Sequence, residues 1–191
     1  LNELHDGATI ELSGRTAFTT DSYVVKPLFF PGGNIGKLAI CGTANDVAVS
    51  GAIPRYLSCG FILEEGLSME TLKAVVTSMA ATARRADIAI VTGDTKVVQR
   101  GAADKLFINT AGIGAIPANI RWGASTLQAG DVLLVSGTLG DHGMAIMAER
   151  ESLGFESAIV SDTAALHGLI AAMRASGAAI HVLRDPTRGG L

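Results

Sequence analysis

The chain has 191 residues, 48% of them hydrophobic and 17% charged, enough apolar content for one sizeable core or two small ones and too much for a disordered segment. A net charge of −3 and a pI near 5.8 offer no general attraction to nucleic acid or to an anionic membrane, and basic residues are scattered apart from Arg84-Arg85. Two cysteines, Cys41 and Cys59, are too few for a disulfide scaffold or a zinc site and read as buried free thiols in a reducing compartment. No run reaches the ~18 unbroken apolar residues of a membrane helix and no signal-peptide pattern is seen, so the expected location is the cytoplasm. The chain opens on Leu1 and stops in "RDPTRGGL", which reads as an internal piece of a longer protein.

In chain order, "ATIEL" (8–12) and "RTAFTTDS" (15–22) are β-prone runs joined by Ser13-Gly14, a hairpin signal. "PLFFPGG" (27–33) is punctuated by Pro and Gly and predicts a loop. From Asn34, a plausible N-cap, to about Ser50, apolar and small residues predict a helix with a thin, small-residue face. A strand is expected over 55–65. A helix capped by Ser68 follows, its Leu72, Val75, Val76, Met79 and Ala83 recurring at helical spacing. "DIAIVTGD" (87–94) and "KLFINTAGIGAI" (105–116) predict two further strands, giving ββ-α-β-α-β-β for the first ~120 residues. Beyond a boundary near 116–125, "GDVLLVSGTLGDHG" (130–143) predicts strand, Gly-rich turn and helix. A capped helix over 161–177 and a strand over 179–185 close the chain.

Three acids share a setting, each where a β-prone or small-residue run stops: Asp21 after "AFTT", Asp46 in the small-residue helix, and Asp94 at the end of "IAIVTG". Ligands of α/β folds gather where strands end. Carboxylates converging on one crevice repel unless a cation joins them, and Mg²⁺ completed by phosphate oxygens is the usual solution. Lys96 would then supply a point charge to the phosphates, Thr92 and Gly93 a close backbone approach, and Asn45 an amide. The bland alternative is a turn at Gly93-Asp94 and a local cap at Asn45-Asp46. The sequence contains no P-loop, dinucleotide-binding or nucleophile-elbow motif. The four histidines show no metal-ligand spacing, and only His142, on a Gly-rich turn, is placed to line a pocket. Trp122 is expected where the two units meet, Phe29 and Phe30 in an interface or core, and Met69, Met79, Met144, Met147 and Met173 in the core.

Taken together, "FTTDSYVVKPLFFPGGNIGKLAICGTANDVAVSGAIPRYLSCGFILEEG", "VTGDTKVV", "GDVLLVSGTLGDHG" and "DPTRGGL" resemble the HypE family of hydrogenase maturation proteins. These are carbamoyl dehydratases of the aminoimidazole-ribonucleotide (AIR) synthetase superfamily, which also holds selenophosphate synthetase and thiamine-monophosphate kinase. The resemblance implies an α+β fold: an AIR-synthetase-like, dimer-forming N-terminal domain over 1–120 with a mixed sheet packed by helices, then the start of an α/β C-terminal domain over 121–191. It implies ATP with Mg²⁺ in the cleft, with Asp21, Asp46 and Asp94 on the metal and Asp94, Lys96 and Arg188 at the nucleotide, beside the Asn45, Thr92 and Gly93 picked out by position. Lys96 and Asp46 would be the catalytic pair. The implied reaction is ATP-dependent dehydration of a carbamoylated C-terminal cysteine to a thiocyanate, the source of the cyanide ligand of nickel–iron hydrogenase. The implied partners are a twin copy, a carbamoyltransferase and iron-carrying maturation scaffold proteins. The family's acceptor cysteine is its last residue, whereas this chain ends at Leu191, so the chain alone is expected to be inactive. Two alternatives remain open: a sister synthetase or small-molecule kinase, and a non-catalytic dimerisation and docking module.

Overall fold

A computed structural model describes residues 7–150 and 159–187. Strand β1 (Thr16–Tyr23) is followed by a two-residue hairpin, β2 (Phe29–Phe30) and β3 (Gly33–Asn34), which leads directly into helix α1 (Ile35–Val49). Then come β4 (Ile53–Glu64), α2 (Met69–Arg85), β5 (Ala89–Val98) and β6 (Leu106–Ala115). A short 3₁₀ turn, Ala124–Thr126, precedes α3 (Asp141–Arg150) and α4 (His167–Ala175). The main sheet runs β1-β6-β4-β5; β5 is parallel to β4 and the other pairs are antiparallel, so the sheet is mixed and the fold α+β.

Helix α1 starts where it does because the Asn34 side chain accepts from the Gly36 and Lys37 amides, and Ser68 likewise accepts from the Thr71 amide to open α2. Buried positions on α1 recur as Ile35, Gly36, Ala39, Ile40, Thr43, Ala44, Val47 and Ala48, a full helical face. That face lies on the sheet and on α2. A Cβ at Gly36 would stand 2.6 Å from the Val75 carbonyl oxygen, and one at Gly112 of β6 would stand 2.7 Å from Thr43 Cγ2. Small residues thus set a short distance between the three layers, and Ile35, Ile40, Leu57, Val75, Leu106 and Ile108 fill what remains. Each such side chain contributes about 1.5–3 kcal/mol on burial. Both helices cover one face of the sheet; the other carries Phe18, 72% exposed, and Ile62, 42% exposed.

Several expected elements differ. Residues 8–12 form no strand; β1 instead pairs along its length with β6, which leaves no β partner for them among the described residues. The expected loop over 27–33 contains the β2–β3 hairpin, with Gly32 at φ +91° in its turn. Strand β5 runs four residues past Asp94, so Asp94 lies within a strand. No strand forms within 131–137 or 179–185: a strand needs a neighbour for its backbone groups, and Val132, Leu133 and Leu134 are 82, 76 and 82% exposed. Of the methionines expected in the core, Met79 is buried, but Met69, Met144 and Met147 are exposed because their helices turn those positions outward. Phe30 is buried and meets the His142 ring edge-on at 5.2 Å, while Phe29 is half-exposed. Trp122 reaches the turn after α1, its ring 3.4 Å from where a Cβ of Gly51 would stand.

The helix expected over 161–177 begins only at His167, because the residues before it are tied to the N-terminal unit by hydrogen bonds. The Ser161 amide donates to the Pro31 carbonyl at 2.8 Å, and Ser161 Oγ contacts His142 Nδ1 at 2.9 Å. Asn45 clamps the same stretch: its Nδ2 donates to the Ala164 carbonyl at 2.9 Å and its Oδ1 accepts from the Leu166 amide at 2.8 Å. Replacing Asn45 by Ala removes both bonds together, an expected loss of about 1–3 kcal/mol in a denaturant melt, with Asn45→Asp intermediate because it keeps the acceptor alone. Cys41 and Cys59 are buried free thiols, and burial pushes the Cys59 thiol up to about 11 and raises Cys41 as well. Neither is expected to react with iodoacetamide in the native protein near pH 8, and both should react in denaturant; native-state labelling by mass spectrometry checks this.

Candidate functional site

Alternation along β1 turns Thr19, Asp21 and Tyr23 to the face covered by α1, and Thr43 and Asp46 come down from α1, one helical turn apart, to meet them. Thr19 Oγ1 donates to Asp46 Oδ2 at 3.3 Å. The Tyr23 hydroxyl lies 3.1 Å from Thr43 Oγ1, and Thr43 in turn bonds the buried Thr110 of β6. Both carboxylates act on the Tyr23 phenol, which burial above all holds in its neutral form. Asp21 and Asp46 therefore share one site, neither fully buried nor fully open. Asp21 also accepts from the Ser22 amide at 2.9 Å.

Asp94 and Lys96 stand elsewhere. In the sheet register, Asp21 aligns with Thr110, Cys59 and Gly93, the row facing the helices. Asp94 aligns with Gly60, Asn109 and Ser22, and Lys96 with Ile62 and Phe107, rows on the uncovered face. Strand β5 is also the far edge from β1, three strand spacings or about 14 Å away. There the Lys96 ammonium lies 3.2 Å from the Asp94 carboxylate, both side chains about two-thirds exposed at 72 and 68%. That ammonium first, then the Thr95 amide, holds the Asp94 carboxyl below its usual range. Within the described residues of one chain no cluster of three metal-ligating side chains forms, so the three carboxylates expected on one metal are not gathered by a single chain.

Thr92 is exposed beside Asp94, on the uncovered face. A Cβ at Gly93 would collide with the Cys59 carbonyl, so β4 itself requires the glycine. The Asn45 amide is engaged by the 164–166 backbone on both its ends. Arg188 lies outside the described residues. The residue that sequence reasoning missed is Tyr23, although its place two residues after Asp21 on a strand signals a shared face.

Two carboxylates at one site between β1 and α1 are a donor set suited to Mg²⁺, which commonly takes one or two carboxylates and completes its octahedron with water and phosphate oxygens. The described chain holds no helix long and apolar enough to cross a membrane.

Residues 4–116 match the family model described as "AIR synthase related protein, N-terminal domain", and residues 128–191 match the corresponding C-terminal domain. The carbamoyl dehydratase HypE of Escherichia coli K12 is 72% identical over an alignment that takes in all of this chain and 58% of that protein. A crystal structure of E. coli HypE superposes with a TM-score of 0.95 at 71% identity, covering 99% of this chain and 60% of that one. A HypE solved in complex with ATP gives 0.94 at 54% identity, covering 98% of this chain and 56% of that one, and a HypE–HypF complex gives 0.89 at 54% identity, covering 92 and 57%. The chain spans between half and two-thirds of the length of these proteins. With both family models matched, and this identity spread over the whole of its length, the chain belongs to the HypE family of AIR synthase related proteins.

Proposed function

We propose that this chain carries the nucleotide-handling half of an ATP-dependent carbamoyl dehydratase that works in hydrogenase maturation. The observation that carries the reading is that β1 and α1 bring Asp21 and Asp46 to one site, where Thr19 bonds Asp46 and both carboxylates act on the Tyr23 phenol. A HypE 54% identical to this chain has been solved with ATP, and another has been solved with HypF, which supports ATP as the nucleotide and a carbamoyltransferase as a partner. The name carbamoyl dehydratase borne by the relatives supports loss of water from a carbamoyl group, here taken as a thiocarbamate on a C-terminal cysteine that loses its oxygen to phosphate and both nitrogen protons, leaving a thiocyanate on sulfur as ATP becomes ADP. Iron-carrying scaffold proteins would then take the cyanide group.

ATP with Mg²⁺, when bound, supplies the phosphoryl group that turns the carbamoyl oxygen into a leaving group. Asp21 and Asp46 would hold the cation from fixed places on a strand and a helix. Lys96 cannot reach that pair from its own edge of the same sheet. The protein is proposed to act as a homodimer whose uncovered sheet faces stack about 10 Å apart. A two-fold axis along the strands then lays β5 of one protomer over β1 of its twin, an edge strand, and Lys96 would reach round that edge to phosphates held at the twin's carboxylates on the far face. Cys41 and Cys59 have no part as acceptors, being buried with raised thiol pKa values.

In the full-length protein, Asp46→Asn and Lys96→Ala are each expected to lower phosphate release on the order of 100-fold while leaving the dimer intact by light scattering. Undiminished phosphate release in both variants would refute the assignment. Mixing the two inactive proteins so that protomers exchange should restore about a quarter of the wild-type rate, since half the dimers are mixed and each of those regains one of its two sites. No recovery on mixing would mean that Lys96 and Asp46 act within a single chain.

A further inference from the structure

Residues 161–166 belong to the C-terminal unit but are fastened to the N-terminal one at both ends. At the first end the Ser161 amide donates to the Pro31 carbonyl. That approach requires the glycine at 32, since a Cβ there would stand 2.8 Å from the Ser161 carbonyl oxygen. The buried Ser161 hydroxyl meets His142 of α3 and, at 2.7 Å, Thr163 Oγ1. The second end is held by Asn45, about three helical turns along α1. Between the two fastenings, Ala165 packs against the core.

The second fastening does more than hold. Asn45 engages the carbonyl of Ala164 and the amide of Leu166, the two groups that a strand offers to a parallel neighbour. A carboxamide answers both because it accepts and donates at once. A shift of the segment by one residue breaks both bonds, so the contact sets register as well as adhesion. Leu166 directly precedes α4 and cannot cap it with its own side chain, so Asn45 also directs the start of that helix from outside. The next residue of α1, turned by about 100°, is Asp46, whose carboxylate accepts from Thr19 of β1. One helical step therefore separates the seat of the C-terminal unit from a carboxylate proposed to hold the cation.

We infer that Asn45 is a positioning residue: by fixing residues 164–166 and the start of α4 against the turn that carries Asp46, it couples the seating of the C-terminal unit to nucleotide binding. This rests on the metal-nucleotide reading of the site given above. When the seated arrangement is the one that binds, apparent affinity falls with the fraction of molecules left unseated. By the same linkage, bound nucleotide tightens the seat.

Two measurements on the full-length protein test this. Calorimetry gives the affinity for ATP at saturating Mg²⁺ in the wild type, Asn45→Ala, Ser161→Ala and Asp46→Asn. Hydrogen exchange read by mass spectrometry follows peptides covering 162–170, with and without ATP and Mg²⁺. Asn45→Ala is expected to bind ATP roughly tenfold more weakly. Ser161→Ala loosens the far end of the same segment without touching the Asp46 turn, and its affinity should stay within about twofold of the wild type. In the wild type, ATP with Mg²⁺ should slow exchange over 162–170, where the Leu166 amide lies, and Asn45→Ala should lose that slowing. Equal losses of affinity in Asn45→Ala and Ser161→Ala would mean a merely structural role and overturn the inference. So would wild-type affinity in a folded Asn45→Ala, or slowing that persists in that variant. If Asn45→Ala does not fold, the wild type decides alone, and exchange indifferent to ATP overturns the inference. Asp46→Asn separates the two levels: binding lost there but unchanged in Asn45→Ala confines the failure to Asn45, whereas unchanged binding in Asp46→Asn removes the metal-nucleotide reading itself.

Discussion

The distance at which α1 lies from its neighbours governs the rest of this molecule. Gly36 admits α2, Gly112 and Gly114 of β6 leave room for Thr43 and Val47, and Gly42 admits the Tyr23 hydroxyl. With side chains at those positions the helix would ride higher, and Asp46 would no longer meet the row of β1 that holds Thr19 and Asp21. Dispersion and burial reward that short distance along the whole contact, so Asp21 and Asp46 inherit the rigidity of the core beneath them. The Asp21–Asp46 site is a by-product of that close packing.

How much of this could be read from the sequence follows from the range of the interactions involved. The bounds of α1 and α2 were legible because their caps, Asn34 and Ser68, and their apolar spacing are local. Strands β4 and β6 were legible for the same reason, as runs of β-branched and aromatic residues. The supposed hairpin at 8–22 failed because its turn signal is local while the choice of partner is not: β1 finds more to pair with in β6, some 90 residues away. Hydrophobic runs at 131–135 and 179–185 have strand composition but no described neighbour to complete a ladder.

The site divides along the same line. That Asp21 and Asp46 belong to one crevice could be suspected from the sequence, where each sits in a setting too apolar for an idle carboxylate. That Asp94 and Lys96 do not join them could not, because sheet order decides it, and sheet order places β5 and β1 at opposite edges. Asn45 shows the limit of adjacency. It is next to Asp46 in sequence, but the helix turns its amide by about 100° toward the 164–166 backbone. One residue of the pair therefore faces β1 and the other the 164–166 backbone.

The outlying position of Asp94 and Lys96 has a meaning of its own. Strand β5 ends the sheet, and an unpaired strand edge is a template on which another chain can continue the ladder. A carboxylate and an ammonium side by side in the middle of that edge make such continuation unfavourable, since an incoming strand would have to desolvate both. The same two charges that are proposed to meet a phosphate thus also keep the sheet from growing. Selection for solubility and selection for chemistry would act there on the same atoms, and a variant that neutralises both gives up a safeguard against aggregation together with its phosphate contact.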